Sequence, residues 1–295
     1  MIDLYFISAR GILPTTIPDF HSMVTKKIIR VKAQRILRKT GLLSSVEQLR
    51  YYVKSWSYSK SNKKFIEENP GFTLPPPRLA FDAYSAPAWE FYKYSGEGTA
   101  IFLADMATKY LVDKKVEAVY EWGCGPGRVV RHLPAAFGDT VGIHGSDYNK
   151  ETIEWCNNNI KGVRFAVNEL DPPLEYPGHS FDLVYCISVF THLSATTGMK
   201  WISELSRVLR PGGILIFTTS GEQTYKTELL SDEKKRFDEE GIMVRDQYAE
   251  GKKMFLTWHN PRYVRETLLA GMEILEHLPA GFPYIGQDCW IARKK

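Results

Sequence analysis

At 295 residues the chain has room for one large domain with additions or for two small ones, and a hydrophobic content of 44% is enough for a real core. Charged residues, at 24%, are ordinary, and the absence of any run of 18 or more apolar residues excludes a transmembrane helix. The net charge of +4 is uneven: residues 1–64 carry 13 Lys/Arg against 3 Asp/Glu, a balance of +10, and the remainder 25 against 31, a balance of −6.

The first ten residues include Asp3 and too short an apolar stretch for a signal peptide. Residues 1–20, apolar and punctuated by Pro and Gly, read as an irregular arm. Residues 21–39 read as a basic helix, with Lys26, Lys27, Arg30, Lys32, Arg35, Arg38 and Lys39, and Gly41 ends it. Its apolar residues form two groups on nearly opposite faces, Val24/Ile28/Val31 and Ile29/Ala33/Ile36/Leu37. That suits packing on the protein better than lying in a membrane, though it leaves peripheral membrane contact through this basic region open. Nucleic acid is disfavoured as a partner, since no aromatic-basic interleaving accompanies the charge. A second helix is expected over 44–56, with Tyr51, Tyr52 and Trp56, then a polar, basic link from Ser57 to Lys64. Pro75-Pro76-Pro77 is stiff and extended. Phe81 to Tyr94 is strongly aromatic, and a helix runs from about Thr99 to Val112. Residues 1–94 therefore read as a basic, aromatic-rich helical extension and 95–295 as the main domain.

The main domain opens on an apolar run, Val116 to Tyr120, that enters Glu121-Trp122-Gly123-Cys124-Gly125-Pro126-Gly127-Arg128 and leaves through a stretch of helical potential, Val129 to Phe137. A strand that turns into a helix through several glycines cradles a cofactor, because the backbone can approach where a Cβ would collide and the helix start offers free N–H groups. The dinucleotide pattern needs glycine where Arg128 stands. Glu121, two residues before Gly123, would repel a pyrophosphate and suits a cofactor with a cationic amine. Downstream, Thr140 to Asp147 is a short strand ending in an acid 22 residues past Gly125, and a helix follows from near Asn149 to about Asn159. Val163 to Val167 is a third strand, Phe181 to Ser188 a buried fourth, and Leu205 to Gly213 a helix end with a proline–glycine stop before a strand at Ile214 to Thr218. Asp171-Pro172-Pro173-Leu174 lies before the fourth strand and reads as a turn. Residues 221–257 then form an excursion over the carboxyl ends of the strands, a lid or substrate platform. It is expected to hold a charged helix, Ser231 to Glu240, and a hairpin, Ile242 to Tyr248 with Lys252 to Thr257. Asn260-Pro261 starts the last helix, and strands follow at Glu273 to His277 and Gln287 to Ala292. Cys124, Cys156, Cys186 and Cys289 have neither metal-ligand nor CxxC spacing, which predicts a reduced, cytoplasmic protein without structural zinc.

The Glu-x-Gly-x-Gly-x-Gly order and the pieces that follow it resemble class I S-adenosylmethionine-dependent methyltransferases, strongly over about residues 95–220 and loosely over 258–295. Small-molecule and sugar methyltransferases of the type-11/type-12 group are the most similar. The resemblance implies a doubly wound, seven-stranded α/β sheet (Rossmann-like) with an antiparallel last strand and S-adenosyl-L-methionine as cofactor. On that likeness Glu121 faces the cofactor's amine, and Gly123, Cys124, Gly125 and Gly127 give backbone access. Asp147, with Tyr148 beside it, binds the ribose, and Glu169 with Leu170 the adenine. Cys186, Ile187 and Ser188 floor the site, and Tyr84 and Tyr92 close over the methionine end.

Methyl transfer needs alignment, plus a base where the acceptor is a hydroxyl. His259 at a helix start beside the lid, His192 after the fourth strand and Tyr225 in the lid are the candidates. No metal cluster is evident, so metal independence is expected. The expected acceptor is a small molecule, first a sugar or glycoside hydroxyl. Two other readings compete: an NAD-dependent oxidoreductase, disfavoured by Arg128, and a non-catalytic cofactor-binding partner protein. The oligomeric state stays open.

Overall fold

The computed structural model describes residues 43–112 and 114–295. The expected arm over 1–20 and basic helix over 21–39 lie outside the described residues. Helix α1 spans Leu43–Glu68, α2 Pro77–Tyr84, and a π-helical turn, Phe91–Ser95, leads into α3, Gly96–Tyr110. Strand β1 (Ala118–Trp122) is followed by a 3-10 turn and α4 (Leu133–Phe137), then β2 (Gly142–Asp147), α5 (Lys150–Asn159), β3 (Arg164–Val167) and β4 (Phe181–Cys186). After a 3-10 turn at Phe190–His192 come α6 (Ala195–Val208), β5 (Leu209–Thr219), α7 (Glu222–Glu228), α8 (Ser231–Glu240), β6 (Ile242–Arg245) and β7 (Leu256–His259). The chain ends with α9 (Pro261–Tyr263), a π-helical turn at Val264–Leu268, β8 (Met272–Leu278) and β9 (Asp288–Lys294).

Seven strands form one sheet in the order β3-β2-β1-β4-β5-β9-β8. Strands β1 to β5 are parallel, and β9 runs antiparallel to both β5 and β8. The expected doubly wound sheet with an antiparallel last strand is therefore present. Every residue of β4 is buried, mid-sheet with helices on both faces, which is why Phe181 to Cys186 is apolar but for Asp182, whose carboxylate accepts from the Glu117 and Ala118 N–H groups. The chain moves outward from β1 to β3 and then returns to β4. The sheet thus switches direction between β1 and β4, and ligands bind at the carboxyl ends of the strands there. Helices α5 and α6 start where their caps dictate: Asn149 accepts from the Thr152 N–H and Ser194 from the Thr197 N–H. Helix α6 buries Trp201, Leu205 and Val208 against one face of the sheet, and α3 packs Leu103 and Ala107 on the other.

Several boundaries differ from the sequence reading. The segment 57–64 continues α1 as helix, because its Lys and Ser residues face water while Phe65 anchors the far end against Ala80, Trp89 and Tyr92. Helix α6 stops at Val208, and Pro211-Gly212-Gly213 lies inside β5, opposite an irregular register between Phe181 and Leu183. The lid hairpin pairs 242–245 with 256–259, further from its tip than expected, and α7 precedes the expected α8. Inside the lid Arg245 is buried, 2.6 Å from Glu233, with its guanidinium over the Trp258 ring.

Candidate active site

The carboxyl ends of β1, β2 and β4 open onto one pocket. The β1 turn supplies the wall from Glu121 to Pro126 and Arg128, β2 supplies Asp147, Tyr148 and Asn149, and the turn after β3 supplies Asn168, Glu169 and Leu170. The turn after β4 adds Ile187, Ser188, Val189 and His192.

The β1 turn is shaped by glycine. Gly123 has φ +74°, and a Cβ there would stand 2.4 Å from a Val189 methyl. Its N–H and that of Cys124 both donate to the Ser146 carbonyl, which ties the turn to β2. Gly127 also has a positive φ, and a Cβ on it would meet Ile160 at 2.3 Å. Gly127 thus shapes the loop from behind and is not on the pocket wall. Cys186 is likewise buried inside β4, away from the wall. The other ten cofactor residues expected in the strand turns are brought together, and Tyr84 joins them while Tyr92 does not reach the wall.

Asp147 accepts from the Gly125 N–H at 3.0 Å and the Asn149 N–H at 2.9 Å. Burial raises its carboxyl pKa, and these two N–H groups offset part of the rise. Each oxygen keeps a second lone pair, so the carboxylate is aimed and still able to accept from a diol. Glu121 is 3% exposed and accepts from the Val130 N–H. Burial pushes its pKa up to about 8, against the opposing effects of the Tyr185 hydroxyl and the Arg128 charge. Two buried polar atoms on the same wall, the Tyr84 hydroxyl and Arg128 Nε, have no partner among the described residues. A hydroxyl, a guanidinium N–H and a buried carboxyl on the wall of one pocket match the ammonium and carboxylate of an amino acid. Asp147, with lone pairs to spare for a diol, lines the same pocket. The residues present therefore fit S-adenosylmethionine: ribose at Asp147, methionine at Glu121, Arg128 and Tyr84.

The N-terminal segment takes part. Leu79, Asp82, Ala83 and Tyr84 of α2, with Phe91, cover the pocket. Tyr84 is held there by ring contacts with Phe91 and Tyr92 and by Arg128 over its face. Tyr92 stands behind, donating to the Pro126 carbonyl. The signal for α2 was Pro77 followed by an apolar-polar alternation of helical period, which places Leu79 and Phe81 inward.

His192 lies on the wall, and its Nδ1 is 2.7 Å from the Phe255 carbonyl. A carbonyl only accepts, so Nδ1 carries the proton and Nε2 keeps its lone pair. Burial lowers the His192 pKa, which keeps the ring neutral at pH 7. The lid is stitched to this turn: the Gly251 N–H donates to the His192 carbonyl and the Tyr148 hydroxyl to the Gly251 carbonyl. The lid also sends Lys253 to the wall, ion-paired with Glu47 of α1 at 3.2 Å and 3.8 Å above the Phe81 ring.

The other two catalytic candidates are elsewhere. His259 is the last residue of β7, paired with Ile242, 3% exposed and off the pocket wall. Burial drives its pKa down to about 3, and its Nδ1 has no partner among the described residues. The Tyr225 hydroxyl donates to Asp238 on the outside of the lid, with its ring against Phe237.

Residues 119–213 match the family model described as a methyltransferase domain. A fatty-acid O-methyltransferase of Mycolicibacterium smegmatis is 31% identical over 114 residues, which cover 38% of this chain and 40% of that protein. A sterol 24-C-methyltransferase of Yarrowia lipolytica is 30% identical over 103 residues, covering 32% and 26%. The matched stretch thus spans two fifths or less of either curated relative. Among solved structures, Streptomyces venezuelae DesVI superposes with a TM-score of 0.51 at 14% identity, covering 70% of this chain and 95% of that one. The structural likeness shows the fold.

Proposed function

We propose that this chain, whose residues 119–213 match a methyltransferase-domain family model, is an S-adenosylmethionine-dependent methyltransferase that methylates an oxygen of a small-molecule acceptor with His192 as the base. The observation that carries this is the tautomer of His192: the Phe255 carbonyl holds the proton on Nδ1, and the free Nε2 belongs to a ring on the pocket wall. Bound S-adenosylmethionine supplies an electrophilic methyl on a sulfonium. Asp147 and Glu121 hold the donor by its two polar ends, and Tyr84 and Phe91 cover it from the N-terminal side. His192 Nε2 would accept the hydroxyl proton as the acceptor oxygen is methylated, the sulfonium–methyl bond breaking to leave a neutral thioether, and the proton would pass to solvent once the product departs.

The two curated relatives are named for different acceptor atoms, an oxygen of a fatty acid and a carbon of a sterol. Their shared stretch therefore speaks to the donor half, and the acceptor must be read from this chain's own walls. Of the lid, only Gly251 and Lys253 reach the pocket. Leu79, Phe91, Val189, Leu193 and Ile285 dominate the rest. That lining favours a hydroxyl carried on an apolar skeleton over the bare sugar hydroxyl suggested by the sequence of the lid.

The test has two stages. Labelled S-adenosylmethionine is offered with a panel of glycosides, phenols and fatty acids, and the best acceptor is then used with His192→Asn, whose amide can keep the bond to the Phe255 carbonyl. Turnover should fall by about 10²–10⁴-fold with cofactor affinity within a few-fold. Turnover preserved in the variant would leave alignment without a base. Tight cofactor binding with no transfer to any class would favour the non-catalytic reading.

A further inference from the structure

The outward face of α1 is not used by the site. Leu49, Tyr52, Val53 and Trp56 are 63%, 60%, 55% and 80% exposed. At about 100° per residue these four share an arc of roughly 100° on one side of the helix. The opposite side carries Glu47, paired with Lys253, and Phe65, buried against Ala80, Trp89 and Tyr92. The exposed patch is therefore not a core face left bare, because the helix already has its core face. Lys60 and Lys63, both exposed, continue the outward arc one to two turns beyond Trp56, and the acidic Glu67 joins only at its far end.

We propose that this face docks on an anionic lipid bilayer. Trp and Tyr with neighbouring Lys is the composition that sits at a headgroup boundary, with rings in the interface and ammonium groups among the phosphates. The charge is complementary: residues 43–64 hold five Lys/Arg against one Asp/Glu, and residues 65–295 a balance of −6, so the surface potential of an anionic leaflet attracts this helix and repels the rest. A second copy of the chain fits less well, since a two-fold contact would set Lys60 and Lys63 against themselves. Because α1 holds Lys253 at the pocket wall from its other side, docking would place the pocket about one helix diameter, ~10 Å, from the lipid surface. The inference stands apart from the choice of acceptor.

Flotation of the full chain with vesicles of phosphatidylcholine alone, and with about a third phosphatidylserine, reads it directly. Binding is expected to the anionic vesicles only, to weaken with salt, and to fall at least about tenfold in the double variant Tyr52→Ser/Trp56→Ser and in Lys60→Glu/Lys63→Glu. Calorimetry with S-adenosylmethionine should give wild-type affinity for both variants, showing that they fold. No binding to anionic vesicles, or binding that survives in Tyr52→Ser/Trp56→Ser and so belongs to the basic segment before α1, overturns the proposal. A dimer in sedimentation that Tyr52→Ser/Trp56→Ser abolishes overturns it in favour of a second copy.

Discussion

Glu121→Gln isolates what one buried carboxyl does to stability and to donor binding. Burial raises its pKa from an ordinary 4.5 to about 8. A group whose folded pKa lies above its unfolded one contributes stability fully present below the unfolded value, and lost as pH rises through the folded one. The window is therefore pH 4.5 to about 8, and within it the loss is at most about 1.4 kcal/mol per pH unit. From pH 5.5 to 7.5 that amounts to about 2.7 kcal/mol, a large fraction of a typical folding free energy of roughly 5–15 kcal/mol. The amide of the variant would be neutral throughout and remove the slope. Urea unfolding of both proteins without cofactor at pH 5.5, 6.5, 7.5 and 8.5 measures it. The stability difference, wild type minus variant, should shrink by about that amount and level off above pH 8. Parallel curves would mean that the carboxyl is solvated or already ionised in the folded state, and the argument fails. A cation bound beside Glu121 favours its charged form. Binding of S-adenosylmethionine at pH 7 should therefore release a proton in the wild type and none in the variant, as calorimetry in buffers of different ionisation heat would show.

Asp147→Ala should weaken cofactor binding by roughly ten- to a hundredfold, the loss of about 1.5–3 kcal/mol in charge-assisted pairing, measured by calorimetry. An unchanged affinity would remove the ribose assignment. Because burial holds the His192 pKa below its usual value, the acidic limb of kcat/KM at saturating donor should lie below pH 6.5, and a limb at or above pH 7 would point to a different base.

What the sequence showed was what is local. The β1 turn, the acid at Asp147 and the turn after β4 each lie within a few residues of their strand, so spacing places them, and ten of the twelve cofactor residues expected in the strand turns reach the wall. The two that do not, Gly127 and Cys186, have the right neighbours and the wrong side: one turns the loop from behind, the other completes a strand. Misplacements grow with sequence separation. His259 reads as a base candidate beside Asn260-Pro261, where a helix begins, but β6 pairs with it from seventeen residues away and makes it a buried strand end. Tyr84 and Arg128 meet across 44 positions, and neither has a motif of its own. The same holds for His192 and the Phe255 carbonyl, one in the turn after β4 and the other in the lid. Residue type suggested His192 as one of three bases. Only the contact with a carbonyl 63 residues away decides that Nδ1 holds the proton and Nε2 the lone pair.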